Sequence, residues 1–351
     1  MMYDKLVFLA IFCHYTQLCS KMNRKGQSPL GVIFIFPSFR DSGIIFKSSP
    51  RMRSLKMTKK SKRKALGQHF LHNRQLLRRI VNVIDPQPEE IILEIGAGKG
   101  ALTFALAERK AKIIAVEKDV SLIPHLKKKD FSNLTIIDKD ILRVHFRDLL
   151  PINEARKAKV VGNLPYSLSS PILFKVLAEK DVISCCVFLL QKEFAQRLCA
   201  QPGSKKYAPL SIIFQNFFTP RFHFSVSASF FSPPPKVESA LMSLEKRSKP
   251  LFPIVEQELF LKFLKGAFQH RRKKLSNNLK RLHWPDSLIK RVLEICGIDG
   301  NLRPEQVSLP QFVRLFNCLQ EKTSGDSLTR IIPESFGLNR SQKKPLSQGK
   351  K

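Results

Sequence analysis

The middle of the chain alternates two hydrophobic patterns. Short runs of consecutive apolar residues are separated by stretches in which apolar positions recur three and four apart. Ile91-Ile92-Leu93-Glu94-Ile95, Ile113-Ile114-Ala115-Val116, Leu134-Thr135-Ile136-Ile137, Val160-Val161-Gly162 and Cys185-Cys186-Val187-Phe188-Leu189-Leu190 have the length and polarity of strands buried on both faces. Leu76, Leu77, Ile80, Val81 and Ile84 fall at helical spacing over about 73–84, and Pro86 and Pro88 stop that run. Further helix-compatible segments lie near 101–109, 120–129 and 168–179. Strand and helix alternating in this way imply βαβ units with right-handed crossovers. Ser211–Phe218 and Glu238–Leu244 are expected as later strands.

After about Pro250 the strand pattern ends, and 256–268, 271–282, 286–296 and 310–320 are expected to be helices. The expected organisation is an N-terminal extension over 1–57, an α/β domain over 58–248, a helical domain over 249–320 and a disordered basic tail over 321–351. The extension has three readings. Lys5 before Leu6–Phe12 looks like a short signal-peptide core without a cleavage site. Its shortage of acids also suits an organelle transit peptide, and Met57 offers an alternative start; that start, or plain disorder, is the preferred reading. No apolar run reaches the ~18 residues that span a bilayer, so no membrane partner is expected.

Charge narrows the partners. The chain of 351 residues carries 61 Lys and Arg against 28 Asp and Glu, a formal net charge of +33. A field of that sign suits a polyanion, because each neutralised phosphate releases condensed counterions. The bland alternative is a solvated basic surface or basic disordered tails. Seven cysteines form no C-x-x-C pair, which argues against a zinc ribbon or a dithiol motif. No metal is expected, and scattered free thiols suit a reducing, cytoplasmic setting, with organelle import open if the extension is real.

Four strand ends carry chemistry. Glu94-Ile95-Gly96-Ala97-Gly98-Lys99-Gly100 follows a strand and opens a helix, where a ligand can approach the backbone closely. Glu117 ends the next strand, placed to accept hydrogen bonds from both hydroxyls of a ribose. The spacing is G-x-G-x-G, and Glu94 suits a cofactor with a cationic amino acid moiety, so S-adenosylmethionine is preferred to a dinucleotide. After the third strand Asp140, rather than Asp138, is placed to meet the adenine amino group of such a cofactor.

Gly162-Asn163-Leu164-Pro165-Tyr166 follows the fourth strand, where ligands sit in open α/β sheets. An exocyclic adenine amine is a poor nucleophile, since its lone pair is delocalised into the ring. The Asn163 side-chain oxygen and the Leu164 carbonyl offer two acceptors for its two hydrogens, turning the lone pair toward a methyl donor. Pro165 stiffens the loop and Tyr166 offers a platform for an extracted base.

Taken in order, Gly67-Gln68-His69-Phe70-Leu71, Glu94–Gly98, Gly162–Tyr166, Leu190-Gln191-Lys192-Glu193 and Phe231-Ser232-Pro233-Pro234-Pro235-Lys236-Val237-Glu238-Ser239 resemble the KsgA-type ribosomal RNA adenine dimethyltransferases. The basic Ala267–Lys273 stretch resembles that family's C-terminal domain, and the likeness covers roughly 58–320. It implies a class I, Rossmann-like methyltransferase with a small helical domain. The implied reaction is dimethylation of N6 on two adjacent adenosines near the 3′ end of small-subunit ribosomal RNA. The partner is an assembling, pre-30S-type particle, met by a monomer.

Residue by residue, the resemblance places His69, Leu71, Gly96, Glu117, Asp140 and Asn163 at S-adenosylmethionine, although the position of His69 is often Asn in that family. It places Phe231 opposite Tyr166 as the second side of a clamp on the target adenine, where otherwise it reads equally as a core aromatic beside Phe230. Lys205, Lys206 and Tyr207 are expected in a loop at the substrate face. Arg271, Arg272, Lys273 and Lys274 are expected to bind RNA, against the alternative of a solvated helix face.

Overall fold

The computed structural model describes residues 69–151, 157–254, 256–282 and 284–322. The expected extension over 1–57, the Gly67-Gln68 pair and the tail beyond Lys322 lie outside the described residues. The first elements are β1 (Phe70–Leu71), α1 (Arg74–Ile84), β2 (Ile91–Ile95), α2 (Ala101–Ala107) and β3 (Lys112–Glu117). Then come α3 (Ile123–Leu126), β4 (Leu134–Asp138), α4 (Phe146–Leu149), β5 (Ala158–Asn163), α5 (Ser169–Ala178) and β6 (Ile183–Gln191). After these lie α6 (Lys192–Leu198), α7 (Pro209–Phe217), β7 (Phe218–Val226), β8 (Phe231–Ser232) and β9 (Ser239–Lys246). Four helices end the described chain: α8 (Gln257–Ala267), α9 (Leu275–Lys280), α10 (Asp286–Cys296) and α11 (Leu309–Lys322).

Seven strands form one sheet in the order β4-β3-β2-β5-β6-β9-β7. Its first five strands are parallel, while β9 runs antiparallel to both β6 and β7. This is the Rossmann-like arrangement the resemblance implies. The central strands are apolar throughout because both faces are covered. In β2, Ile91, Leu93 and Ile95 pack into the core that includes α5 and α7. Ile92 packs into the opposite core, with Leu76 and Ile80 of α1 and Leu102 and Leu106 of α2. Helix α1 starts where the Asn73 side chain accepts from Leu76 N at 2.8 Å, a standard N-cap.

Two expected elements differ. Ser211–Phe218 is not a strand: Pro209–Phe217 is helical and the strand begins at Phe218. A short apolar run does not reveal its period. Pro209 opens the helix, and Ser211 Oγ accepts from Ala208 N at 3.0 Å while donating to Arg197 O at 2.6 Å. The edge strand β7 has no counterpart among the expected strands. It contains Pro220, which an edge position tolerates.

The expected helix over 271–282 is shorter as well, spanning only Leu275–Lys280. His270 to Lys274 form a turn in which Lys273 N donates to His270 O at 2.8 Å, and Asn278 Oδ1 accepts from His270 N at 3.0 Å. The helical region buries Phe260, Phe263, Trp284, Phe312 and Phe316, and these share one apolar core with the sheet face above. Among the described residues no helix is long and apolar enough to cross a membrane.

Candidate active site

The strand order reverses between β2 and β5, so a crevice opens beyond their carboxyl ends. The loops after both strands carry the two motifs singled out above. Gly162 shows why these ends come together: a Cβ there would lie 2.5 Å from Ile95 O. Gly96 has φ +77, a conformation L side chains rarely adopt, and a Cβ on it would meet nothing within 4 Å. The backbone therefore borders open space at Gly96. His69, Phe70 and Leu71 line the same cleft as Gly96, Glu117, Asn163 and Tyr166.

The loop after β5 is held in three places. Leu164 N donates to Leu189 O at 3.1 Å, and the Leu164 side chain is buried in the core. The Asn163 Nδ2 donates to His69 O at 2.8 Å. With its nitrogen end so occupied, the amide turns Oδ1 away from His69. Tyr166 is half-buried; its hydroxyl is 2.7 Å from Ser239 Oγ, and its ring centroid lies 5.6 Å from that of His69. His69 Nδ1 in turn donates to Pro233 O at 2.7 Å. Burial is the main reason that the Tyr166 phenol is raised above its ordinary range, with the Ser239 bond opposing it.

Glu117 is anchored rather than mobile. Its carboxylate accepts from Gly98 N at 2.7 Å and from Asp119 N at 2.8 Å, which ties the glycine turn to the end of β3. Glu94, on β2, is fully buried yet lines the cleft. Its Oε2 is buried without a hydrogen-bond partner. Burial pushes the Glu94 carboxyl up to about 7, with the Thr103 hydroxyl moderating that rise and the Glu117 charge adding to it.

Two expected site residues are held by contacts of their own. Asp140 follows β4, where its Oδ1 caps Leu142 N at 3.1 Å and its Oδ2 pairs with Lys118 Nζ at 2.7 Å. Phe231 is 3% exposed and packs in the apolar cluster with Leu71, Val226 and Leu241. It pairs with Leu71 across the small β1–β8 ribbon, and that pairing holds the strand against the core. This position fits the core-aromatic reading.

The basic cluster divides. Arg271 Nη2 donates to Lys205 O at 2.7 Å and to Tyr207 O at 3.0 Å, so this guanidinium braces a distant loop. Tyr207, expected at a substrate face, is instead buried, with its ring 6.4 Å from Phe268. Lys205, Lys206, Arg272, Lys273 and Lys274 are exposed. Lys273 also borders a surface hollow with Asn277, Lys280 and Arg281.

These groups fit S-adenosylmethionine. A buried carboxylate oxygen lacking a partner suits a cationic amine, and Glu117 retains lone pairs for a ribose. The open backbone at Gly96 leaves room for close approach. Glu94 is legible in the sequence through its place before the glycines. Ser239 is legible as the last residue of the Phe231–Ser239 motif, whereas nothing local marks Thr103, which reaches Glu94 only through the fold.

Comparison with known proteins agrees. A family model described as Ribosomal RNA adenine dimethylase matches residues 59–321. The chain is 42% identical over 257 residues to the Ribosomal RNA small subunit methyltransferase A of Geobacter metallireducens, covering 72% of this chain and 94% of that protein. It is 38% identical over 259 residues to the protein of the same name from Protochlamydia amoebophila, covering 73% and 90%. Among solved structures, a dimethyladenosine transferase from Plasmodium falciparum superposes with TM-score 0.63 at 26% identity, covering 73% of this chain and 98% of that one. The 23S rRNA methyltransferase ErmE gives TM-score 0.56 at 27% identity, covering 72% and 99%. With a family model spanning most of its length and this site beneath it, the chain belongs to the ribosomal RNA adenine dimethylase family.

Proposed function

We propose that the chain transfers two methyl groups to N6 of each of two adjacent adenosines near the 3′ end of small-subunit ribosomal RNA, during subunit assembly. The observation that carries this reading is the Asn163 amide, whose nitrogen is committed to His69 O and whose oxygen is thereby left for an amine. S-adenosylmethionine supplies the methyl group, held beside Glu94, Gly96 and Glu117, with Asp140 near the adenine end and His69 and Leu71 closing the cleft.

Asn163 Oδ1 and the Leu164 carbonyl accept the two amine hydrogens and aim the nitrogen lone pair. This is catalysis by orientation and by charge developing on the nitrogen, so no tuned general base is needed. The alkylated nitrogen then loses its proton readily. Tyr166 holds the extracted base by stacking.

The division into a catalytic α/β domain over 58–248 and an RNA-binding helical domain over 249–320 belongs to the same proposal. Arg272, Lys273 and Lys274 contact phosphates, and Arg271 braces the turn that presents them. The protein works as a monomer on a pre-30S-type particle, in the cytoplasm. The names of the relatives at 42% and 38% identity support a small-subunit target. A large-subunit target is the second reading, favoured by the likeness to ErmE, a 23S rRNA methyltransferase. Methylation of unmodified small subunits, with the modified adenosines mapped by primer extension, tests the proposal. Modification confined to large-subunit RNA overturns it.

A further inference from the structure

We propose that Ser239 is a positioning residue for the target adenine, acting through the hydroxyl of Tyr166. The inference rests on the proposed function and deepens it.

Ser239 closes the Phe231–Ser239 motif and opens β9. Its backbone is fixed on both sides, opposite Gln191 in β6 and Val226 in β7, and the residue is 1% exposed. The same junction is reinforced where Lys192 N donates to Glu238 O at 2.9 Å and Lys192 Nζ pairs with Glu238 at 2.7 Å. A serine so held is a rigid point of attachment.

Tyr166 needs such a point. A stacking platform works only if its ring plane is set before the base arrives, because an enzyme that extracts a base has already spent unstacking energy. The backbone before the ring is constrained by Pro165, whose φ is −55. That leaves the ring free to turn about two side-chain torsions. The 2.7 Å bond between Tyr166 Oη and Ser239 Oγ fixes its far end. On the ring's flank His69 lies at 5.6 Å, itself anchored to Pro233 O. The tyrosine is thus tied at its backbone and at its tip. The motif's last residue does this work from the sheet, without touching cofactor or base.

The test is a double-mutant cycle with Ser239→Ala, Tyr166→Phe and both together, assayed for methyl transfer to small subunits and for cofactor binding by calorimetry. Each single variant is expected to lower kcat/KM for RNA roughly three- to tenfold, the rate equivalent of one neutral hydrogen bond. Cofactor affinity stays within about twofold, because Ser239 does not line the cleft and Tyr166→Phe keeps the ring that does. In the Tyr166→Phe background the Ser239→Ala change has no further effect. A wild-type rate in either single variant overturns the inference, as does a loss that multiplies in the double variant. Tyr166→Phe deletes the same bond while keeping the ring, so a folding defect in Ser239→Ala does not shield the idea. If the wild-type chain methylates no small-subunit adenosine, the proposed function falls, and this inference with it. If it does and the cycle shows no coupling, only the inference falls.

Discussion

The Asn163 side chain donates to the backbone carbonyl of His69 across 2.8 Å, and that bond decides which end of the amide is free. A residue from the start of the described chain thereby sets the polarity of the loop after β5, 94 positions later. Asn163→Ala is expected to lower the methyl-transfer rate by roughly 10²–10³, the range for deleting one oriented group that stabilises developing charge. RNA affinity should stay largely intact. Asn163→Asp should also fail, since a carboxylate cannot donate to His69 O. Single-turnover methyl transfer beside filter binding checks both, and unchanged turnover in the alanine variant would rule out catalysis by orientation.

Glu94 is expected to make cofactor binding depend on pH. Its carboxyl is pushed from an ordinary 4.5 up to about 7, chiefly by burial. Between those values the folded protein holds a proton that the unfolded chain has lost. Stability therefore falls as pH rises through that window and levels off above about 7. A cationic cofactor favours the ionised form, so binding should release a proton near neutral pH and tighten as pH rises. Calorimetry in two buffers of different ionisation enthalpy reads that proton. Glu94→Gln should abolish the release; a release that persists in that variant assigns it to another group.

The basic turn before α9 should separate by experiment. Neutralising Arg272 and Lys273 is expected to reduce the salt dependence of RNA binding, by about 0.7–0.9 in log–log slope for each phosphate that is no longer neutralised. Arg271→Gln should leave that slope nearly unchanged and instead lower thermal stability, since its guanidinium is bound to Lys205 O and Tyr207 O. Equal slopes in the wild type and the Arg272/Lys273 variant would return those residues to a solvated surface.

Gly162→Ala should destabilise the fold. The added carbon would sit 2.5 Å from Ile95 O, a backbone atom of the neighbouring strand that has little room to yield. Overpacking of this kind costs about 1–3 kcal/mol, readable as a lower denaturant midpoint. A midpoint equal to that of the wild type would show that the two strand ends can part freely.

The parallel strands were legible because burial on both faces leaves a continuous apolar signature, as in β2 and β6. The stretch from Ser211 to Phe218 misleads for the same reason: eight apolar-rich residues support either period until Pro209 and the Ser211 bonds choose the helix. At Phe231 the motif indicated an aromatic near the substrate. Its place in the ribbon with Leu71 depends on residues 160 positions apart, a pairing that local pattern does not encode. Arg271 read as one of four like charges, since a hydrogen bond to a carbonyl 66 residues away leaves no mark on local sequence.

By itself the sequence determined the strand–helix alternation, the glycine turn before α2, and the tetrapeptide after β5 that is proposed to orient the amine. Each depends on neighbouring residues, whose spacing and chemistry are written in order along the chain. Tertiary structure alone decided that His69 O fixes the Asn163 amide, that the Ser239 hydroxyl meets Tyr166, and that one Glu94 oxygen is buried without a partner. Those outcomes depend on which distant strands become neighbours, and hydrogen bonding and desolvation act through space rather than along the chain.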